Sequence, residues 1–165
     1  MGVTLLEICQ IPFLSREDIL QRVRLRGGET LTEAMGNPVG VIMVSAHLGN
    51  WEMAPLFASC YFRRPVAAVA RRVRPETLNR WLLGLRGRFG NIILDKESAL
   101  PRMARLLRRG MALGILIDQG TMRSEGLEVT FFGKTVTATP AAALLARRYN
   151  VPVIPAFCVR EADQE

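Results

Sequence analysis

V-G-V-I-M-V-S-A-H-L-G-N-W-E-M-A-P-L-F-A-S-C-Y-F, residues 39–62, contains both halves of a strand-to-helix crossing. Residues 39–46 are apolar and rich in β-branched side chains, which predicts a buried strand. Residues 51–62 predict a helix, capped by Asn50. Between the two stands His47, the only histidine in the chain. In α/β sheets ligands bind at the loops that leave the carboxyl ends of strands, so His47 is placed for chemistry. Glu52 follows in the first helical turn. If the loop folds back, Glu52 can accept the imidazole Nδ1 proton and leave Nε2 free, the arrangement by which a histidine acts as general base toward a hydroxyl. A glutamate five residues after a histidine arises by chance in about one case in fifteen at ordinary composition, so the spacing alone is a weak signal.

Working outward, Ser15 with Asp18 and Thr30 with Glu33 each predict a capping box, the second helix ending at Gly36-Asn37-Pro38. Leu5, Leu6, Ile8, Ile11 and Phe13 form an apolar lead-in expected to pack on the sheet, with a membrane as the alternative surface. Beyond the central stretch, strands are predicted at 66–70, 91–94, 111–117, 128–132 and 153–159, and helices at 75–88, 98–109 and 139–149. Alternating strands and helices argue a layered α/β fold, with a largely parallel or mixed sheet and helices on both faces. A single sheet in a single domain, residues 1–165, takes the whole chain.

Three strand exits then share one rim: His47, the cluster Arg71-Arg72-Val73-Arg74, and Asp118-Gln119-Gly120. A base, a basic cluster and an acid meet there. Asp118 has two open roles, orienting Arg71 or Arg123 toward a phosphate or capping the following turn. The chain has no metal-ligand spacing, and a catalytic zinc would want more histidine or cysteine. No cofactor is expected. Arg102, Arg105 and Arg109 share one face of the 98–109 helix, a solvated face or one suited to anionic headgroups.

The chain has 165 residues, 49% of them hydrophobic, enough for a proper core. Net charge is +7, which favours anionic partners: phosphates, acidic proteins or a membrane surface. Of the 22 Lys and Arg only Lys96 and Lys134 are lysine, and the other 20 are arginine, the residue suited to bidentate phosphate and carboxylate contacts. Cys9, Cys60 and Cys158 read as core thiols of a reducing compartment. No apolar run is long enough to span a bilayer. Nucleic-acid binding is suggested by charge alone, and the scarcity of lysine and lack of any recognised motif argue against it.

Ser45-Ala46-His47-Leu48-Gly49-Asn50-Trp51-Glu52 closely resembles the signature of the lipid A biosynthesis acyltransferases, related to glycerolipid acyltransferases, with the H-x4-E pair falling on His47 and Glu52. The resemblance continues through Ala70-Arg71, Asn79-Arg80, Ile117-Asp118-Gln119, Phe131-Phe132-Gly133, Thr137-Ala138-Thr139-Pro140 and Val151-Pro152-Val153-Ile154-Pro155. Gly120-Thr121-Met122-Arg123-Ser124 resembles a glycerolipid acyltransferase motif and keeps a different acceptor open.

The resemblance implies a glycerolipid-acyltransferase-like fold. It also implies transfer of a fatty acyl group from acyl carrier protein to a hydroxyl of a lipid A precursor, peripherally at the cytoplasmic face of the inner membrane. His47 and Glu52 would be the catalytic pair. Asn50, Arg71, Arg72, Asp118, Gln119 and Arg123 would bind substrate, with Arg71 or backbone N–H groups near Asn50 facing the oxyanion. Attack would be direct, since no cysteine is placed as a nucleophile. Family members usually carry a membrane helix before, and further sheet and helix after, the part matched here, so the chain is expected to be a fragment of that fold. Two alternatives stay open: a lysophospholipid or glycolipid acyltransferase using acyl-CoA, and an inactive remnant.

Overall fold

The computed structural model describes residues 2–161. Three helices, α1 (Gly2–Gln10), α2 (Arg16–Arg22) and α3 (Gly28–Met35), lead into β1 (Val41–Ser45). Then follow α4 (Met53–Tyr61), β2 (Val66–Ala70), α5 (Glu76–Arg86), β3 (Ile92–Asp95), α6 (Ala99–Leu107) and β4 (Ala112–Leu116). The chain continues with β5 (Leu127–Phe131), β6 (Lys134–Ala138), α7 (Ala141–Tyr149) and β7 (Val153–Pro155). Pro55 and Pro101 lie in the first turns of α4 and α6, where a missing N–H costs no hydrogen bond.

Five strands form one parallel sheet in the order β3-β2-β4-β1-β7. The α/β expectation is met, with every pairing in this sheet parallel. Ile42, Ala67, Leu113 and Ile115 present one face to Met103 and Leu107 of α6 and to Ala142 and Leu145 of α7. Val41, Met43, Val66 and Ala112 present the other to Leu31, Ala34 and Met35 of α3 and Ala58 of α4. Successive strand residues alternate between faces, so burial on both sides is what made these strands read as continuous apolar runs.

The structure departs from expectation at several places. The N-terminal lead-in does not reach the sheet: Ile8, Ile11, Leu14 and Ile19 pack on Met53, Leu56, Phe57 and Cys60, so α1 and α2 form a layer outside α4. Leu5, Leu6 and Phe13 of the lead-in are exposed. Ser15 and Asp18 make the reciprocal capping box. Thr30 and Glu33 do not, because α3 begins earlier, at Gly28, and Thr30 lies within its first turn. Cys9 is exposed rather than core.

Nor does one sheet take every strand. β5 and β6 form a separate antiparallel hairpin, with Val129 opposite Val136. Its turn is Phe132-Gly133, both at positive φ, the backbone of a tight two-residue hairpin loop. The final strand stops at Pro155, and the chain then turns toward the loop after β1. On α6, Arg102 and Arg105 are exposed while Met103 and Leu107 are buried, a solvated basic face over an apolar one.

Candidate active site

β1 and β4 are neighbours, with Ser45 paired to Leu116, and the Ile117 N–H donates to the Ser45 carbonyl at 3.0 Å. Two residues further along each chain come His47 and Asp118. The register therefore delivers them side by side. The His47 backbone N–H donates to Asp118 Oδ2 at 2.9 Å, and His47 Nδ1 stands 2.9 Å from Asp118 Oδ1. With a carboxylate on Nδ1 the ring carries its proton there, and Nε2 is the free acceptor. Partial burial pushes the Asp118 carboxyl upward, but the hydrogen bonds from the His47 ring and backbone outweigh it and hold the group below its ordinary value.

Sequence reasoning put Glu52 on Nδ1, and here the structure corrects it. Glu52 is buried and faces α5, where Arg86 grips it with a planar fork: Nε to Oε2 at 2.9 Å and Nη2 to Oε1 at 2.5 Å. The hydrogen bonds it donates to Glu52 raise the Arg86 guanidinium above its usual value against the opposing effect of burial. Glu52 starts the helix, and the helix turns its side chain inward and away from the rim. Asp118 neither orients an arginine nor merely caps a turn, since both its oxygens are taken up by His47.

The loop between His47 and α4 is tied down by backbone. Gly49 has φ +65°, and a Cβ there would lie 2.0 Å from the Cys158 carbonyl oxygen, so only glycine fits. That close approach lets the Asn50 N–H donate to Cys158 O at 2.8 Å. Asn50 Oδ1 accepts from the Met53 N–H at 3.0 Å, the expected cap, with residues 51–52 forming a turn before α4. Because the Asn50 N–H is spent on Cys158, it is not available to an oxyanion as the sequence suggested.

A cavity of about 1580 Å³ opens beside the sheet rim and is lined by His47, Trp51, Arg71 and Gln119 among others. Its floor includes Met43, Ala68 and Gly114, opposite one another in the parallel register. The Gln119 side-chain nitrogen stands 3.4 Å from His47 Nε2. Trp51 sets its ring edgewise to the imidazole, with centroids 5.1 Å apart. Asn50 and Glu52 also reach this cavity. Arg72 and Arg123 do not line it: they pair with Asp95 at 3.4 Å and Glu128 at 3.8 Å, both on exposed surface. No group of three His, Cys, Asp or Glu side chains able to hold a metal occurs among the described residues.

Sequence reasoning missed Arg86 and Trp51. Trp51 was visible beside His47 inside the octamer. For Arg86 the only signal was a general one, that a buried carboxylate needs a cation. Which of twenty arginines answers it depends on how α5 lies against α4.

The family described as bacterial lipid A biosynthesis acyltransferase matches residues 1–165. A phosphatidylinositol mannoside acyltransferase of Mycobacterium tuberculosis is 23% identical over 158 residues, 92% of this chain and 49% of the relative. The protein of that name from Mycolicibacterium smegmatis is 24% identical over 161 residues, 95% of this chain and 52% of its own. The chain thus spans about half the length of these relatives.

Proposed function

The chain belongs to the bacterial lipid A biosynthesis acyltransferase family, and on that premise we propose that its site moves a fatty acyl group from a thioester donor to a hydroxyl of an anionic glycolipid. The observation that carries this reading is the His47–Asp118 pair, 2.9 Å apart, beside a cavity large enough for an acyl chain. The acceptor hydroxyl attacks the thioester carbonyl carbon while His47 Nε2 takes its proton, and the Asp118 carboxylate stabilises the imidazolium that forms. The carbonyl oxygen becomes an oxyanion, and Arg71 and the Gln119 amide, both lining the cavity, would donate to it. Collapse of the tetrahedral species breaks the C–S bond, and the thiolate leaves with the proton from Nε2.

No acyl-enzyme enters the scheme. Cys158 lines the cavity, but burial and the nearby Glu7 charge push its thiol above the ordinary value despite Arg160, which leaves little thiolate to attack. Glu52 acts in this scheme by anchoring the first turn of α4 through Arg86. The net charge of +7 suits an acidic donor such as acyl carrier protein, an acceptor bearing phosphate, and the face of the inner membrane, where the chain would lie peripherally. No helix among the described residues is long and apolar enough to cross a membrane.

A lipid A precursor is our first choice of acceptor. The names of the relatives favour a second, a phosphatidylinositol mannoside or similar glycolipid. The test is acyl transfer in detergent micelles from labelled acyl carrier protein, in competition with acyl-CoA, to each acceptor. Wild type, His47→Ala and Asp118→Asn are compared. Turnover that falls steeply in both variants is expected; turnover unaffected by His47→Ala would overturn the reading, as would a folded chain inert toward every acceptor.

A further inference from the structure

The loop carrying His47 is held by a polar cluster in the wall of the same cavity, one that the reaction scheme does not use. Asn50 Nδ2 donates to Glu7 Oε2 at 2.8 Å. Arg160, in the segment after β7, forks onto the same carboxylate, Nε to Oε1 at 2.9 Å and Nη2 to Oε2 at 2.6 Å. Its Nη2 also donates to Thr4 Oγ1 at 2.9 Å, and the Thr4 hydroxyl donates to the Gly49 carbonyl at 3.1 Å. Thr4 is buried, and Gly49 and Asn50 are the second and third residues after His47.

Resting on the reading that His47 is the base, we propose that Thr4, Glu7 and Arg160 form a latch that positions the catalytic loop, with Glu7 as its centre. Three lines of chain far apart in sequence meet at Gly49-Asn50. α1 supplies Thr4 and Glu7 from one side, and the segment after β7 supplies Cys158 and Arg160 from the other. Gly49 has no side chain to hold it, and Asn50 holds its own backbone only through Met53 and Cys158. The latch engages two further polar groups of the loop, the Gly49 carbonyl and the Asn50 side-chain nitrogen. These residues are positioning residues, not catalytic ones: none of their hydrogen bonds is to His47, and their effect is on where Nε2 sits relative to the thioester. A small misplacement of a catalytic group costs rate while leaving substrate affinity alone.

A single histidine makes the test direct, since the imidazole of His47 gives the only histidine ring signals in an NMR spectrum. Wild type, Glu7→Ala, Glu7→Gln and the isosteric Thr4→Val are compared by acyl-transfer kinetics and by the His47 ring signals. Glu7→Ala is expected to lower kcat on the order of tenfold to a hundredfold with KM for the acyl donor within about twofold, and to shift or broaden the ring signals. Glu7→Gln, which keeps an acceptor for Asn50 and Arg160, should recover most of both. If Glu7→Ala does not fold, Thr4→Val, which removes only a hydroxyl, should show a smaller loss of the same kind. Wild-type kcat and unmoved ring signals in folded Glu7→Ala, or in Thr4→Val where Glu7→Ala does not fold, would overturn the latch. Full turnover in His47→Ala would instead overturn the functional reading, and the ring signals would still report whether the latch holds the loop.

Discussion

At the residue scale the carboxylates of Asp118 and Glu52 have separate tasks. Asp118 is half open to solvent beside the cavity and meets His47; Glu52 is buried and meets Arg86. Removing Asp118 should therefore cost chemistry, and removing Glu52 should cost fold. Asp118→Asn leaves the shape intact but replaces a charged acceptor, and turnover should fall by about a hundredfold or more in steady-state acyl transfer. Glu52→Ala leaves the half-buried Arg86 guanidinium without its carboxylate, and denaturant unfolding should show a loss of about 3 kcal/mol. Equal loss of turnover in the two variants without loss of stability in the second would contradict this division. Gly49 belongs here too. Gly49→Ala should destabilise the loop beyond the effect of an ordinary glycine substitution, because both its φ and the Cys158 carbonyl exclude a methyl group. Thermal unfolding would register it.

At the scale of elements, α4 joins two cores. Ala58 faces the sheet with α3, while Leu56 and Phe57 face α1 and α2. The outer layer is bound by more than apolar contact, since Arg88 after α5 donates to the carbonyls of Ile11, Pro12 and Leu14. Arg64 does the same service elsewhere, donating to the carbonyls of Met35 and Gly110. Four of the twenty arginines that suggested phosphate binding, Arg64, Arg86, Arg88 and Arg160, are thus spent on carbonyls and internal carboxylates. Leu56→Ala, at a fully buried position, should cost about 2–5 kcal/mol in denaturant unfolding. Because Leu56 belongs to the core that seats α1, and α1 carries Thr4 and Glu7, the same variant should also reduce turnover more than its stability loss alone would. The octamer and the strand-helix alternation were legible because period and composition follow from burial on both sheet faces. The hairpin was half legible: 128–132 read as a strand, whereas 134–138, mixed in polarity and exposed, offered no apolar run.

At the scale of the molecule, acid should open what neutral pH holds shut. Arg160 beside Glu7 keeps that carboxyl below its ordinary range, and the His47 hydrogen bonds, against partial burial, do so for Asp118. A depressed folded value means that each group stabilises the fold in full above its unfolded value, about pH 4, and loses that contribution as pH falls through the folded value. Unfolding followed from pH 7 to pH 2 should show stability flat above about pH 5 and falling below about pH 4, with a shallower fall in Glu7→Gln.

The sequence by itself determined the layered α/β architecture, the strand that ends at His47, the cap at Asn50 and the rim shared by residues 47, 71 and 118. Those features follow from local period, local capping chemistry and the rule that parallel strands end together. Only the tertiary structure decided which carboxylate meets the imidazole, which arginine meets Glu52, and that α1 and the end of the chain hold the loop between them. Each of those is a contact between segments dozens of residues apart. Strand order and helix packing set such contacts, and neither is written in the spacing of a motif.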